Sequence, residues 1–325
     1  MAIFRNTVQA LLAFLLLFAM ACQTGTATPD EPITESVTEE LSADLPGLLV
    51  DADWVAARQD HRDLLLLHIG DDEDSFLEGH IPGQIFLSFQ EIVIGDFEQG
   101  FRLPDRETLL EVFAAAGVDD QKSIVLTGDL EGLFATRAFM TLEALGRREN
   151  VALLQGGLQE WRDQDRPLST ERTTPSPGSF APEVQERIIV DSDFVLAHLG
   201  DRQTYLVDAR PPQEFRGEVA GPGVERAGHI PGAQNIFWKT TLSAEDRPLL
   251  KDRDQIKSIY KDRGIDESAN LIAYCRTGMQ ASFGYFLGRL MERDILVYDG
   301  SYVDWSRQLE LPITGPRAND SLSPE

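Results

Sequence analysis

An internal repeat constrains the fold of this 325-residue chain more than any other feature of its sequence. The motif Gly-His-Ile-Pro-Gly occupies 79–83 and returns unchanged at 228–232. Three further pairs of segments match at nearly the same spacing: 50–55 with 190–195, 124–127 with 271–274, and Trp161 with Trp305. A repeat of about 140–150 residues has the size of a whole domain, so the sequence predicts two tandem copies of one fold. The spacing widens between Arg210 and Gly228, which predicts an insertion of about nine residues in the second copy.

The repeat and the composition of the flanking segments divide the chain into six parts. These are a signal peptide (1–21), a Thr/Pro/Glu-rich tether (22–47), a first domain (48–172), a linker (173–186), a second domain (187–315) and a disordered tail (316–325). The tether is rich in Thr, Pro, Asp and Glu, which give no core-forming pattern, and the linker is rich in Pro and Ser.

Short apolar runs alternate with helical patterns in each copy. In the second copy the sequence predicts strands at 205–207, 271–274 and 295–298, and helices at 254–263 and 282–291. This alternation predicts an α/β fold, in which a doubly wound parallel sheet carries helices on both faces. Ligands of such sheets bind beyond the carboxyl ends of the strands, so the loop 274–282 is a candidate site.

The charge balance excludes some partners. The chain has 29 Lys and Arg residues against 54 Asp and Glu residues, a net charge of −25, which disfavours nucleic acid as a partner. A small anionic substrate would therefore need a local positive pocket. The five histidines are scattered without metal-ligand spacing, and the sequence holds no glycine-rich nucleotide loop. We expect neither a metal nor a dissociable cofactor.

The amino-terminal segment predicts export. Arg5 precedes an apolar run of about 14 residues, which is too short to span a bilayer and has the length of a signal-peptide core. Ala19-Met20-Ala21 fits ordinary signal cleavage. The segment also resembles a bacterial lipoprotein signal, in which Cys22 would be lipidated, although Ala19 stands where such signals usually have Leu. We expect a periplasmic protein or a membrane-anchored lipoprotein of a bacterial cell envelope.

The second cysteine lies in the candidate loop. Cys275 ends an apolar strand, and Arg276, Thr277 and Gly278 lead into a helix. A loop that curls around the sulfur can direct backbone N–H groups and the helix amino terminus at it. These dipoles, together with the Arg276 charge, would lower the thiol pKa from its free value of about 8.5.

A buried structural cysteine is the simpler interpretation of one thiol at a strand end. The repeat argues against it. The first copy has Gly128 where the second has Cys275, and Asp129 where the second has Arg276. Two packing sites would keep similar apolar residues, whereas these positions differ in chemistry. The sequence therefore predicts one reactive copy and one inactive copy.

Residues 48–315 resemble the tandem-domain rhodaneses, a family of sulfurtransferases. The resemblance rests on the doubled Gly-His-Ile-Pro-Gly, on Val-Asp-Ala-Arg at 207–210, on Glu-Phe-Arg-Gly at 214–217, and on the Cys275 loop. It implies two doubly wound α/β domains, with an inactive first copy and a catalytic second copy. It also implies that Cys275 carries a persulfide, stabilised by Arg276 and by the loop amides of Thr277, Gly278, Met279 and Gln280.

The resemblance further assigns Arg210 and Arg216 to binding of the anionic sulfur donor. The alternative for both is a surface ion pair with Glu214 or Glu218. Asp208 is interpreted as an internal hydrogen-bond acceptor that shapes the site. His229 occurs in both copies of the motif, so we assign it a structural role in the turn.

A loop that begins Cys-Arg-x-Gly resembles the members that use thiosulfate, whereas mercaptopyruvate users tend to have Cys-Gly-Ser-Gly. We therefore expect a thiosulfate sulfurtransferase that passes sulfur to cyanide or a thiol. A 3-mercaptopyruvate sulfurtransferase and a non-catalytic envelope module that binds sulfur species or a partner remain alternatives. Phosphatases and arsenate reductases of this fold need an arginine six residues after the cysteine, where this chain has Ala281.

Overall fold

The computed structural model describes residues 42–129, 131–182, 187–243 and 249–315. The first copy contains β1 (Leu49–Val50), α1 (Ala52–Ala56), β2 (Leu64–Gly70), α2 (Glu73–Leu77), β3 (Ile85–Ser88), β4 (Ile94–Asp96), β5 (Gly100–Arg102), α3 (Arg106–Ala115), β6 (Ser123–Gly128), α4 (Leu133–Ala144), β7 (Val151–Leu154) and α5 (Gly157–Asp163). The second contains β8 (Ile189–Val190), α6 (Ser192–Ala197), β9 (Thr204–Asp208), α7 (Pro212–Phe215), β10 (Gln234–Asn235), α8 (Arg253–Asp262), β11 (Asn270–Tyr274), α9 (Met279–Leu290), β12 (Ile295–Tyr298) and α10 (Ser301–Arg307). Two 3-10 helices lie at Phe89–Ile92 and Trp238–Thr241.

The two copies form matching five-stranded sheets, and every strand pair within them is parallel. The strand order is β1-β7-β6-β2-β3 in the first copy and β8-β12-β11-β9-β10 in the second. Register matches as well, because His68 lies opposite Thr127 and Asp208 lies opposite Tyr274. The predicted fold, two tandem α/β domains built on parallel sheets, is therefore confirmed.

Each sheet packs on one face against a hydrophobic core formed within its own copy, here called the private core. The other face packs against a second core, the shared core, to which both copies contribute. Along β2, Leu64 and Leu66 pack in the private core, whereas Leu65 and Leu67 pack in the shared one. Side chains that alternate across a strand produce this division. The shared core is continuous because α4 and α9 pack against each other at its centre.

Polar side chains also cross between α4 and α9. Glu143 on α4 accepts hydrogen bonds from Tyr285 and from Arg289 on α9, where the Arg289 Nε–Glu143 Oε2 distance is 2.8 Å. Burial raises the pKa of Glu143, whereas Tyr285 and Arg289 lower it, and the net shift is upward. The two copies are thus joined by apolar packing and by buried hydrogen bonds.

Helix α9 begins three residues earlier than the sequence predicts. Gly278 precedes it with φ of 94°, a left-handed conformation that only glycine adopts without strain. Apolar spacing cannot detect such a start, because the first turn is placed by backbone geometry rather than by side-chain pattern. The earlier start brings the helix amino terminus next to Cys275.

Other expectations have mixed outcomes. Trp161 and Trp305 are core residues, as predicted, and their indole N–H groups donate to Pro167 and Pro312 carbonyls at 2.7 and 2.8 Å. In the described part of the linker, 173–182, Phe180 is buried in the shared core. The signal peptide, Cys22 and the tail 316–325 lie outside the described residues. Within the described ranges, no helix is long and apolar enough to cross a membrane.

Candidate active site

Cys275 lies between β11 and α9, at the carboxyl edge of the second sheet. Its backbone is held by the first residues of α10, the helix that follows the neighbouring strand β12. The Cys275 N–H donates to Ser301 Oγ at 3.2 Å, and the Cys275 carbonyl accepts from the Tyr302 N–H at 2.9 Å. The cysteine therefore occupies the ligand-binding edge that the sequence predicts.

Backbone amides surround the sulfur. The Gly278 N–H donates to Cys275 Sγ at 3.1 Å, and the amides of Thr277, Gln280 and Ala281 also stabilise its anionic form. Ala281 is an addition to the residues that the sequence singled out. Met279, whose amide the resemblance assigns to this loop, has a buried side chain at the start of α9.

The net effect on Cys275 differs from the expectation. Its residue is 1% exposed, and this burial raises the pKa of the thiol, whereas the four amides lower it. Burial has the larger effect, so the pKa lies above its usual value instead of below it. The expected lowering is wrong because the sequence reveals the amides but not the depth of the sulfur. The amides still provide the anion-receiving ring.

Arg276 forms an ion pair with a residue of α7. Its Nη1 atom lies 3.0 Å from Glu214 Oε1, and its Nε atom has no hydrogen-bond partner among the described residues. Glu214 is 8% exposed. Burial raises the pKa of Glu214, while Arg276 and Arg210 lower it, and the net shift is upward.

Arg210 is fully buried, so the surface ion pair considered for it is wrong. Its Nη2 atom lies 2.6 Å from Asp208 Oδ2 and 2.8 Å from the Gly228 carbonyl oxygen. Its guanidinium also stacks 4.0 Å above the Tyr302 ring. Burial lowers the pKa of Arg210, but the charge and hydrogen bonds of Asp208 raise it by more. The net shift is upward, so Arg210 stays charged. Asp208 acts here as an internal acceptor.

Arg216 is not brought to the cysteine loop. It follows the end of α7, is 54% exposed, and pairs with Glu218 through Nε and Oε1 at 2.6 Å. No hydrogen bond or ion pair within the described ranges connects it to residues 275–280. Its surroundings match the surface-pair alternative, because its side chain is exposed and paired with Glu218.

The histidines of the doubled motif have the same surroundings in both copies. His229 Nδ1 lies 2.7 Å from the Phe215 carbonyl oxygen, and its ring stacks on Phe215 at 3.8 Å. His80 repeats this arrangement with Phe76, at 3.2 and 4.0 Å. Burial lowers the pKa of both histidines. An arrangement shared with the thiol-free copy indicates a structural role.

The first copy reverses the charges of the site. Asp129 follows Gly128 at the position of Arg276, and its Oδ1 atom lies 3.2 Å from Nε2 of His68, which replaces Asp208. The first copy therefore places a carboxylate where the second places a guanidinium.

Within the described ranges, no group of three or more His, Cys, Asp and Glu side chains could hold a metal ion.

The first copy nevertheless contacts the cysteine loop of the second copy. The Phe101 N–H on β5 donates to the Thr277 carbonyl at 2.9 Å. Arg137 on α4 makes two hydrogen bonds to Asp299, one of them from Nη2 to Oδ2 at 3.0 Å. Asp299 lies against Gly278, because a Cβ on that glycine would come within 3.0 Å of Asp299 Oδ1. No sequence signal predicts this contact between residues 162 positions apart.

Comparison with known proteins places this architecture in a family. The model of the rhodanese-like domain matches the chain twice, over residues 51–164 and 192–308. The chain is 30% identical over 284 residues to the sulfur carrier protein TtuD of Thermus thermophilus, covering 82% of this chain and 96% of the relative. It is 31% identical over 279 residues to a Haloferax volcanii protein with the provisional name thiosulfate sulfurtransferase, with 82% and 96% covered.

Solved structures agree. The anaerobic ergothioneine biosynthesis enzyme from Chlorobium limicola, solved with trimethyl histidine, superposes with a TM-score of 0.72 at 25% identity, covering 82% of this chain and 70% of that one. The two family matches together span more than half of this chain. The chain is therefore a tandem-domain sulfurtransferase of the rhodanese family, with Cys275 in the second copy.

Proposed function

We propose that Cys275 takes a sulfane sulfur from thiosulfate and passes it, as a persulfide, to cyanide or a thiol. In the first step the Cys275 thiolate attacks the outer sulfur of thiosulfate. A new S–S bond forms, the S–S bond of thiosulfate breaks, and sulfite leaves with the electron pair. In the second step the acceptor attacks the outer persulfide sulfur, and the Cys275 thiolate leaves.

The ring of amides around Sγ is the observation that carries this proposal. Four N–H groups from Thr277, Gly278, Gln280 and Ala281 stabilise negative charge at the sulfur. They stabilise charge on the attacking thiolate and would do the same for a terminal persulfide sulfur. Their positions are fixed by the loop, so little reorganisation accompanies the reaction.

The burial of Cys275 supports a small donor. A residue that is 1% exposed accepts a small or extended reactant more readily than a bulky one. Thiosulfate and cyanide are small, and the name of the Haloferax volcanii relative supports the same donor. The name of the Thermus thermophilus relative, a sulfur carrier protein, favours a second candidate, in which the persulfide is delivered to another biomolecule.

The test is the intact mass of the protein before and after exposure to thiosulfate. We expect a gain of one sulfur atom, located on the peptide that contains Cys275 and removed by cyanide with release of thiocyanate. The Cys275→Ser protein should gain no sulfur while keeping the same circular dichroism spectrum. Transfer that persists in Cys275→Ser would refute the mechanism.

A second proposal concerns location. We propose that the chain is exported and cleaved after Ala21, so that Cys22 becomes the amino-terminal residue and is either lipidated or left unmodified. The mass of the mature amino-terminal peptide separates the two cases. A chain that retains Met1 in a cell-envelope fraction would contradict both.

A further inference from the structure

Arg210 and Arg276, two arginines that the sequence assigns to the site together with Cys275, are both paired with carboxylates. Arg210 is paired with Asp208, and Arg276 with Glu214. With both pairs ionised, these four side chains carry no net charge. The positive pocket expected for an anionic donor in so acidic a chain is therefore neutralised by residues of the chain itself.

Glu214 is the carboxylate placed to compete with a donor. Its Oε1 atom accepts from Arg276, the residue next to Cys275, at 3.0 Å. Its Oε2 atom is buried and has no hydrogen-bond partner among the described residues. Gly221 closes over this pair, since a Cβ there would lie 3.2 Å from Oε2 and 3.0 Å from Arg276 Cδ. The charged groups that act on Glu214 are Arg276, Arg210 and Asp208.

Resting on the proposed function, we infer that Glu214 determines donor specificity. Its carboxylate competes with the anionic donor for the Arg276 guanidinium, and so disfavours dianionic sulfane donors relative to donors of lower charge. The enzyme still uses thiosulfate, but the loss in kcat/KM caused by Glu214 grows with the negative charge of the donor. Coulomb interactions between partly buried charges a few ångströms apart correspond to about tenfold or more in binding for each unit charge.

A pair of donors that differ by one charge tests this directly. Thiosulfate is a dianion, whereas the methanethiosulfonate ion is a monoanion that transfers its outer sulfur in the same way and releases methanesulfinate. We expect Glu214→Gln to raise kcat/KM about a hundredfold for thiosulfate and about tenfold for methanethiosulfonate, with cyanide as acceptor. The ratio of the two values then rises about tenfold, and losses common to both donors cancel from it.

Glu292→Gln is the matched control. It also removes one carboxylate from an ion pair, with Arg253, but it lies beyond the other end of α9 from Cys275. The donor ratio should be unchanged in this variant. The control separates the position of the charge from the loss of one negative charge in the whole molecule.

The dependence on pH gives a second readout. Because the pKa of Glu214 is raised, its carboxylate is neutralised as the pH falls, which frees Arg276. The wild-type donor ratio should therefore rise towards low pH, and the ratio of Glu214→Gln should stay flat. Ionisation of Cys275 affects both donors equally and does not enter the ratio.

Two results would overturn the inference while leaving the proposed function intact. One is an unchanged donor ratio in Glu214→Gln. The other is a lower ratio, which would mean that Glu214 assists donor binding by holding Arg276. By contrast, sulfur transfer that survives in Cys275→Ser would refute the proposed function, and the inference with it.

Discussion

The ion pair between Arg137 and Asp299 connects the first copy to a residue that lies against the cysteine loop, and we predict that breaking it lowers the unfolding free energy of the whole molecule. The Arg137 side chain is 0% exposed and that of Asp299 is 6% exposed. In Arg137→Met the apolar stem keeps much of its packing, but Asp299 is left as a buried charge without its partner. Removing one member of a buried pair costs about 3–5 kcal/mol, a large part of a typical unfolding free energy of about 5–15 kcal/mol.

Urea denaturation followed by circular dichroism measures this cost. Arg253→Met is the control, because it removes an arginine from a solvent-exposed pair with Glu292 and should leave the unfolding free energy nearly unchanged. The double variant Arg137→Met/Asp299→Asn should recover much of the loss, since no uncompensated charge remains. Because Asp299 lies against Gly278, the single variant should also lower kcat.

A loss of about 1 kcal/mol or less in Arg137→Met would refute this reasoning. So would a double variant that is as unstable as the single one. Either result would mean that solvent reaches Asp299 in the native state, or that the apolar contacts between α4 and α9 hold the two copies together without the ion pair.

Three further predictions concern the site. Gly278→Ala should lower kcat at least about tenfold, because an added Cβ would lie 2.9 Å from the Asp299 carbonyl oxygen and displace the cysteine loop. Gly264→Ala has a similar positive φ of 73° but open space around it, so it should leave kcat nearly unchanged; steady-state kinetics distinguishes the two variants. The single-turnover rate of sulfur loading should rise from about pH 7 to about pH 9, since burial raises the pKa of Cys275 and only the thiolate attacks; a flat profile would contradict this. Arg216→Ala should change the KM for thiosulfate by less than about threefold, because this side chain is exposed and paired with Glu218; a tenfold rise would place it in the donor site.

The sequence predicts the fold because the information is local and occurs twice. The two Gly-His-Ile-Pro-Gly turns and the alternating apolar runs each specify a piece of backbone, and their common spacing specifies the duplication. The cysteine loop is predicted for the same reason. Cys275, Arg276 and Gly278 are consecutive or nearly so, and a strand-to-helix junction places their amides around the sulfur.

Long-range contacts and depth of burial are what the sequence does not reveal. Arg137 and Asp299 are separated by 162 positions, and nothing in either neighbourhood marks them as partners. The sequence offers Glu214 as a surface partner of Arg210 or Arg216, and it does not reveal that the carboxylate is buried against Arg276. The upward pKa shift of Cys275 was missed as well, since it depends on how much protein covers the thiol.

The shared core has a consequence for how such a protein can be divided. Residues of α9 are buried against α4 from the opposite copy, so a chain cut in the linker would expose apolar side chains on both fragments. Aggregation of an excised second copy is the expected result. Both copies must therefore be kept together when this protein is recombined or engineered. The first copy, which has no thiol, is retained because it covers apolar side chains of the second copy.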